Sequence, residues 1–230
     1  MIKVLYPNYK ETKEEIIQFH KFSGGEWHVN LVPKYLDNSP IIITARLTSS
    51  DNILQLLVLT DALRGLYKND IELVIPYLPY SRQDRRCVKG DSFSLKVFCN
   101  LINSMEYSKV TSVDVHSNVA SILINNFNEI KQSSIVTEIN NNFNYQVLIS
   151  PDLGASKKVE EAQSKWEYPV DIAYAIKKRD KQGNIVSTEI LSDGLDGADV
   201  LIIDDICDGG RTFIELAKVL KDKGVQTIDL

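Results

Sequence analysis

The run Val200-Leu201-Ile202-Ile203-Asp204-Asp205-Ile206-Cys207-Asp208-Gly209-Gly210-Arg211-Thr212 concentrates carboxylates, glycines, a guanidinium and a hydroxyl in one short stretch. Four apolar residues followed by acids read as a buried strand whose backbone leaves the core where the carboxylates begin. Gly209 and Gly210 permit left-handed backbone and close approach of a ligand to bare main chain. Thr212 with Glu215 three residues later has the pattern of a capping box, which predicts a helix opening here with its unpaired N–H groups toward the loop. Carboxylates accept hydrogen bonds from hydroxyls, and amides at a helix N-terminus bind phosphate. Together these groups suit a phosphorylated sugar. Acids at strand ends and glycines before helices also occur where nothing binds, so the reading depends on the rest of the chain.

Two clusters of positive charge, Arg82-Gln83-Asp84-Arg85-Arg86 and Lys177-Lys178-Arg179, stand in a chain of formal charge −5. Arginine pairs bidentately with phosphate and stacks on bases. Lysines on a loop can reach charge developing in a transition state, although a charge run at a turn also reads as a solvated face. Taken alone, Phe22 reads as a core residue and His116, one of three histidines, as structural.

These groups need elements to hold them. Apolar runs predict strands at Ile2–Tyr6, Ile41–Ala45, Ile71–Ile75, Lys109–Val113, Tyr145–Ile149, Val170–Ile176 and Val200–Ile203. Helical spacing predicts a short helix capped by Thr12 and Glu15 and carrying Ile16, Ile17 and Phe19. Longer helices are expected over Asp51–Tyr67, over Ser92–Ser104 with Phe93, Val97 and Leu101 as its stripe, and over Phe213–Lys223. Such alternation means βαβ units and largely parallel sheets. Gln182-Gly183-Asn184 carries turn chemistry between two β-rich pieces. The interval Asn125–Asn144 has the weakest pattern, which sets expected domains at 1–132 and 133–230.

The acidic balance argues against general nucleic-acid binding, which wants a basic face, but leaves small anions open. Cys87, Cys99 and Cys207 lack metal or redox spacing, and no segment approaches the roughly 20 apolar residues of a membrane span. A soluble, cytoplasmic protein is expected, with neither nucleic acid nor membrane as partner.

Several segments, in register, resemble the ribose-phosphate pyrophosphokinases. Asp204–Thr212 resembles the loop that these enzymes share with phosphoribosyltransferases, and Val74–Arg85 (Val-Ile-Pro-Tyr-Leu-Pro-Tyr-Ser-Arg-Gln-Asp-Arg) is similar to a segment of the pyrophosphokinases alone. Phe22-Ser23-Gly24-Gly25-Glu26, Asp51-Asn52, Val113-Asp114-Val115-His116 and Ser150-Pro151-Asp152-Leu153-Gly154 follow the family's order. The resemblance implies an α/β fold of two phosphoribosyltransferase-like domains, each a mostly parallel sheet flanked by helices. It implies transfer of the diphosphoryl group of ATP to the anomeric hydroxyl of ribose 5-phosphate, giving phosphoribosyl pyrophosphate and AMP. By the same resemblance Asp204 and Asp205 hold ribose hydroxyls, and Asp208, Gly209, Gly210, Arg211 and Thr212 cradle the 5-phosphate. Phe22, Glu26, Arg82, Gln83 and His116 contact ATP, His116 and Asp152 hold Mg²⁺, and Lys177 and Arg179 are catalytic cations of a flap. A homodimer or larger ring is implied, with the Phe22 loop reaching a neighbouring subunit. No Gly-x-x-x-x-Gly-Lys-Ser/Thr element is present to hold the nucleotide otherwise.

The chain departs from the family in four places, one of them the segment around Arg46–Ser50, which is shorter than in regulated members and argues against allosteric control by phosphate or ADP. The phosphate loop reads Gly-Gly-Arg-Thr where a Thr-x-Gly-Thr pattern is usual, and Gly24 replaces an Asp or Asn. Lys223–Leu230 resembles the opening of a further strand where the family continues, so the second domain is expected to be incomplete or shortened. Arg211 leaves a second acceptor open, a ribose with a larger 5-substituent such as ADP-ribose. A phosphoribosyltransferase and a non-catalytic regulatory paralogue are the remaining alternatives.

Overall fold

The computed structural model describes residues 2–5, 17–32, 39–140, 143–179, 185–192 and 194–230. The chain divides into two compact units, Met1–Ile130 and Lys131–Leu230.

The first unit runs β1 (Ile2–Leu5), β2 (Ile17–Lys21), β3 (Trp27–Leu31), β4 (Ile41–Ala45), α1 (Ser50–Leu66), β5 (Ile71–Ile75), α2 (Ser94–Asn103), β6 (Lys109–Val113), α3 (Val119–Leu123) and β7 (Phe127–Ile130). Its sheet has the order β1-β4-β5-β6-β7, with β1 antiparallel at the edge and the others parallel. Ile41, Ile43, Ala45, Ile71, Leu73 and Ile75, alternate residues of β4 and β5, are buried with Leu56, Leu59 and Leu63 of α1 and Leu95, Phe98 and Ile102 of α2 in one cluster. Ser49 caps α1 by accepting the Asn52 amide at 3.2 Å. Asp51 in its first turn and Arg64 in its last complement the helix dipole.

The second unit runs α4 (Gln132–Asn140), β8 (Val147–Ser150), α5 (Ser156–Ser164), β9 (Asp171–Arg179), β10 (Ile185–Leu191), β11 (Asp199–Ile202), α6 (Arg211–Asp222) and β12 (Thr227–Asp229). Its strand order is β10-β9-β8-β11-β12, antiparallel only at β10. Val147, Ile149, Val200 and Ile202 face Leu216 and Leu220 of α6, whereas Leu148, Leu201 and Ile203 face Val159 and Ala162 of α5. Helices therefore cover both faces. The α/β architecture of mostly parallel sheets flanked by helices is as the resemblance implies.

Three local expectations need correction. Ile17 and Phe19 lie in β2, because Ile17-Gln18-Phe19-His20 alternates with the period of a strand; the capping signature at Thr12 lies outside the described residues, as do Tyr6 and the Gln182-Gly183-Asn184 turn. On α2, Val97 and Leu101 are exposed and the Leu95, Phe98 and Ile102 face is buried. That helix is apolar on two sides, so spacing alone did not choose its core face. The weakly patterned interval after Asn125 contains β7 and α4. Both are short and rich in poor formers, and α4 gains its place through Val136, which packs with Val159 and Trp166.

Among the described residues no helix is long and apolar enough to cross a membrane, and the three cysteines are unpaired. Leu216→Ala empties a fully buried position of the second unit. It is expected to cost about 2–5 kcal/mol in urea unfolding.

Candidate functional site

Apart from Phe22 and Glu26, the singled-out loop residues of each unit follow the C-terminal ends of parallel strands, where open α/β sheets hold their ligands. In the first unit, Arg82 and Gln83 lie in the loop after β5 and His116 in the loop after β6, all three exposed. The structure joins these loops. Ser117 Oγ donates to Asp84 Oδ2 at 2.7 Å, and the Gln83 amide closes a turn on the Tyr80 carbonyl at 2.8 Å. From the other side the Val115 amide donates to Glu129 Oε1 at 3.0 Å. Asp91 Oδ2 accepts the amides of Cys87 and Val88, fixing the far end of the β5 loop.

Phe22 and Glu26 flank the β2–β3 hairpin turn, closed by Phe22 N–H to Glu26 carbonyl at 2.9 Å. Lys21 ties the hairpin to the first turn of α1 through Asp51 at 2.6 Å. The Lys21 ammonium, followed by the Trp27 indole, holds the Asp51 carboxyl below the usual carboxylate range. Phe22 itself is 50% exposed, against His20 with ring centroids 4.6 Å apart. An aromatic held out on a pinned turn is no core residue.

In the second unit, Asp152 follows β8 and Asp204–Gly210 follow β11, its neighbour. Asp152 Oδ1 accepts the amides of Gly154 and Ala155 at 3.0 and 3.2 Å, which orients the carboxylate. Asp204 Oδ1 accepts the Asp205 amide at 2.9 Å, and the Asp204 carbonyl accepts Gln132 Nε2 at 2.6 Å. Asp205 Oδ2 accepts Lys158 Nζ at 3.0 Å. Helix α6 starts at Arg211 from a left-handed Gly210 (φ 71°), and no side chain caps it. The expected capping box is therefore absent: Thr212 is already helical, and Glu215 pairs with Lys218 at 3.0 Å. An uncapped helix start is better suited to an anion, because its first amides are not taken by a side chain.

Lys177 and Arg179 end β9 in the backbone, and their side chains lie outside the described residues. His116 belongs to the first unit and Asp152 to the second. Among the described residues no group of three or more His, Cys, Asp or Glu is arranged to hold a metal. Mg²⁺ keeps waters and substrate oxygens and takes one or two carboxylates, and the amide-oriented Asp152 carboxylate is a donor of that kind.

Comparison with known proteins decides the family. Residues 8–105 match the N-terminal domain of ribose phosphate pyrophosphokinase and residues 118–230 the phosphoribosyl transferase domain. A ribose-phosphate pyrophosphokinase of Campylobacter jejuni is 30% identical over 216 residues, covering 90% of this chain and 68% of that protein. The chain belongs to the ribose-phosphate pyrophosphokinase family. A second relative of that name, from Thermosipho africanus, is 28% identical, over 90% of this chain and 67% of its own. In fold, the chain is similar to the phosphoribosylpyrophosphate synthetase of Mycobacterium smegmatis. The TM-score is 0.77 at 20% identity, over 92% of this chain and 70% of that one.

Sequence reasoning gave no role to Asp84 with Ser117, to Gln132 or to Lys158. For Lys158 a signal existed: a cation in the first turn of a helix opposes the dipole and calls for a partner. Gly209 carries a separate message. Its φ lies outside the left-handed range and an added Cβ would meet nothing within 4 Å, so the fold itself does not require glycine there. Gly209→Ala is expected to leave stability within about 1 kcal/mol in urea unfolding. The same change should weaken binding of inorganic phosphate several-fold, measured by calorimetry.

Proposed function

We propose that this protein transfers the β,γ-diphosphoryl group of ATP to the anomeric hydroxyl of ribose 5-phosphate, releasing AMP. The observation that carries this reading is the loop after β11: an acid pair, then two glycines, then an uncapped helix start. It belongs to a chain of the pyrophosphokinase family.

In this reading the acid pair accepts hydrogen bonds from the ribose diol, which two carboxylates suit and a triphosphate does not. Asp208 to Thr212 hold the 5-phosphate with loop amides and the Thr212 hydroxyl. Arg82 and Gln83 grip the nucleotide, on loops that the Ser117–Asp84 bond keeps together. Phe22 and Glu26, on the pinned hairpin turn, serve the adenine of a neighbouring subunit in a homodimer or larger ring. The sugar oxygen attacks the β-phosphorus, the bond from that phosphorus to the bridging oxygen of AMP breaks, and AMP leaves in line. Lys177 and Arg179, at the end of β9, stabilise the charge that builds on the transferred group. His116 and Asp152, each in its own unit, are the residues that would ligate Mg²⁺, which would supply charge neutralisation on the phosphates. The reaction belongs in the cytoplasm, in keeping with three unpaired thiols.

Arg211 favours one variation. It is exposed at the first position of α6, and a guanidinium can pair with an anionic group beyond a 5-phosphate. The test mixes protein, Mg²⁺ and ATP with ribose 5-phosphate or with ADP-ribose and resolves nucleotides by anion exchange. AMP formed with ribose 5-phosphate supports the main reading; AMP formed with ADP-ribose alone moves the acceptor and makes Arg211 its reader. No AMP with either acceptor overturns the reaction. Lys177→Ala is expected to lower turnover about 10²- to 10³-fold with the KM for ATP little changed, and an unaltered turnover number would remove Lys177 from the mechanism.

A further inference from the structure

We propose that Lys158 is a positioning residue for the sugar-binding acid pair, setting the affinity for the ribose diol through Asp205; this rests on the acceptor site argued above. Lys158 Nζ lies 3.0 Å from Asp205 Oδ2, with the two side chains 29% and 11% exposed. A carboxylate so enclosed is costly to leave without a counter-charge. Lys158 stands in the first turn of α5, where the helix dipole disfavours a cation, and Asp205 supplies the compensation.

The placement matters as much as the pairing. Helix α5 follows β8, and Asp205 follows β11, the adjacent strand. The chain leaves these two strands toward opposite edges of the sheet, so their loops diverge and a crevice opens between them. The Lys158–Asp205 pair spans that divergence. The neighbouring acid is fixed by other means: the Asp204 carboxylate accepts the Asp205 amide, and its carbonyl is held by Gln132. The side chain of Asp205 thus takes its direction from a helix on the far side of the crevice. A ribose diol needs that carboxylate aimed. Lys158 holds its direction, and it offsets one of the two negative charges that an arriving sugar phosphate must approach.

The test uses the full chain. Calorimetry measures ribose 5-phosphate and, separately, inorganic phosphate, and steady-state assays give the KM for ATP. Lys158→Met keeps the stem and removes the charge. It is expected to weaken ribose 5-phosphate at least tenfold while inorganic phosphate affinity and the KM for ATP stay within twofold, and Lys158→Arg should restore binding to within threefold. Unchanged ribose 5-phosphate affinity in Lys158→Met overturns the proposal, as does a parallel loss for all three ligands, which is general loosening. Should the single variant not fold, Lys158→Met with Asp205→Asn removes both charges together. That double variant is expected to bind ribose 5-phosphate within twofold of Asp205→Asn alone, and a further independent loss overturns the coupling. Wild-type protein that neither binds ribose 5-phosphate nor forms AMP from it removes the acceptor reading itself. Wild-type binding with no effect at position 158 removes only the role of Lys158.

Discussion

Right-handed crossover is the constraint from which the second unit follows. A strand that continues through a helix to a parallel neighbour can place that helix on one face only, chosen by the direction of travel. From β8 the chain moves to β9, and from β11 it moves the other way to β12. The two connecting helices therefore fall on opposite faces, as the alternating core residues record: Val147 and Val200 with α6, Leu148 and Leu201 with α5. Two loops that part in this way leave room between them at the carboxyl edge. The acid-bearing loop sits there because β11 is the strand at which the direction reverses. The first unit has no such reversal, since β4 through β7 march in one direction. Its candidate residues instead share an edge through hydrogen bonds between consecutive loops.

That difference explains what could be read from the sequence and what could not. The strands Ile41–Ala45, Ile71–Ile75 and Lys109–Val113 have the predicted bounds, because a short β-branched run between turns admits few other readings. Helix α6 was legible because Phe213, Leu216 and Leu220 recur on one face, and α1 because its apolar run is too long for a strand. The hairpin β2–β3 was hidden behind a capping signature, and α4 behind an asparagine-rich composition that only burial of Val136 overrides. At the candidate sites the chemistry-bearing side chains were legible by type. Their partners were not. Lys158 is 47 positions from Asp205 and Ser117 is 33 from Asp84; such pairs exist only once the strand order is known.

The charge pattern follows the same geography. The net charge of −5 hides a local arrangement in which cations stand beside the acids that need them. Lys21 meets Asp51 at the root of the hairpin, and Lys158 meets Asp205 at the acid pair. The two pairs differ in what they do. Lys21 and Asp51 are well exposed, and an exposed pair contributes little to stability; its effect is to fix where the hairpin turn points. The Lys158–Asp205 pair is more enclosed, so removing one member leaves a charge that water only partly screens. Each pair fixes where a group points, the first the hairpin turn and the second the Asp205 side chain.

Positive φ at non-glycine residues occurs at the carboxyl edge and also before β6, where Glu106 has φ 44°, and before β7. Tyr80 and Asp114 adopt positive φ, 62° and 41°, in the loops that carry Arg82 and His116. Asn126, at φ 54°, is a residue type that tolerates this region, and Asp114 shares some of that tolerance. Tyr80 does not, and such a conformation costs on the order of 1–3 kcal/mol. It persists because its surroundings leave no alternative. The Tyr80 ring packs on Phe98 with centroids 5.7 Å apart, Ser81 is buried, and the Tyr80 carbonyl takes the Gln83 amide. The result is a chain that turns sharply at Tyr80, in the loop after β5, and leaves Arg82 and Gln83 exposed. Strain here is thus the local cost of presenting two polar groups at a sheet edge, offset by the aromatic packing beneath them.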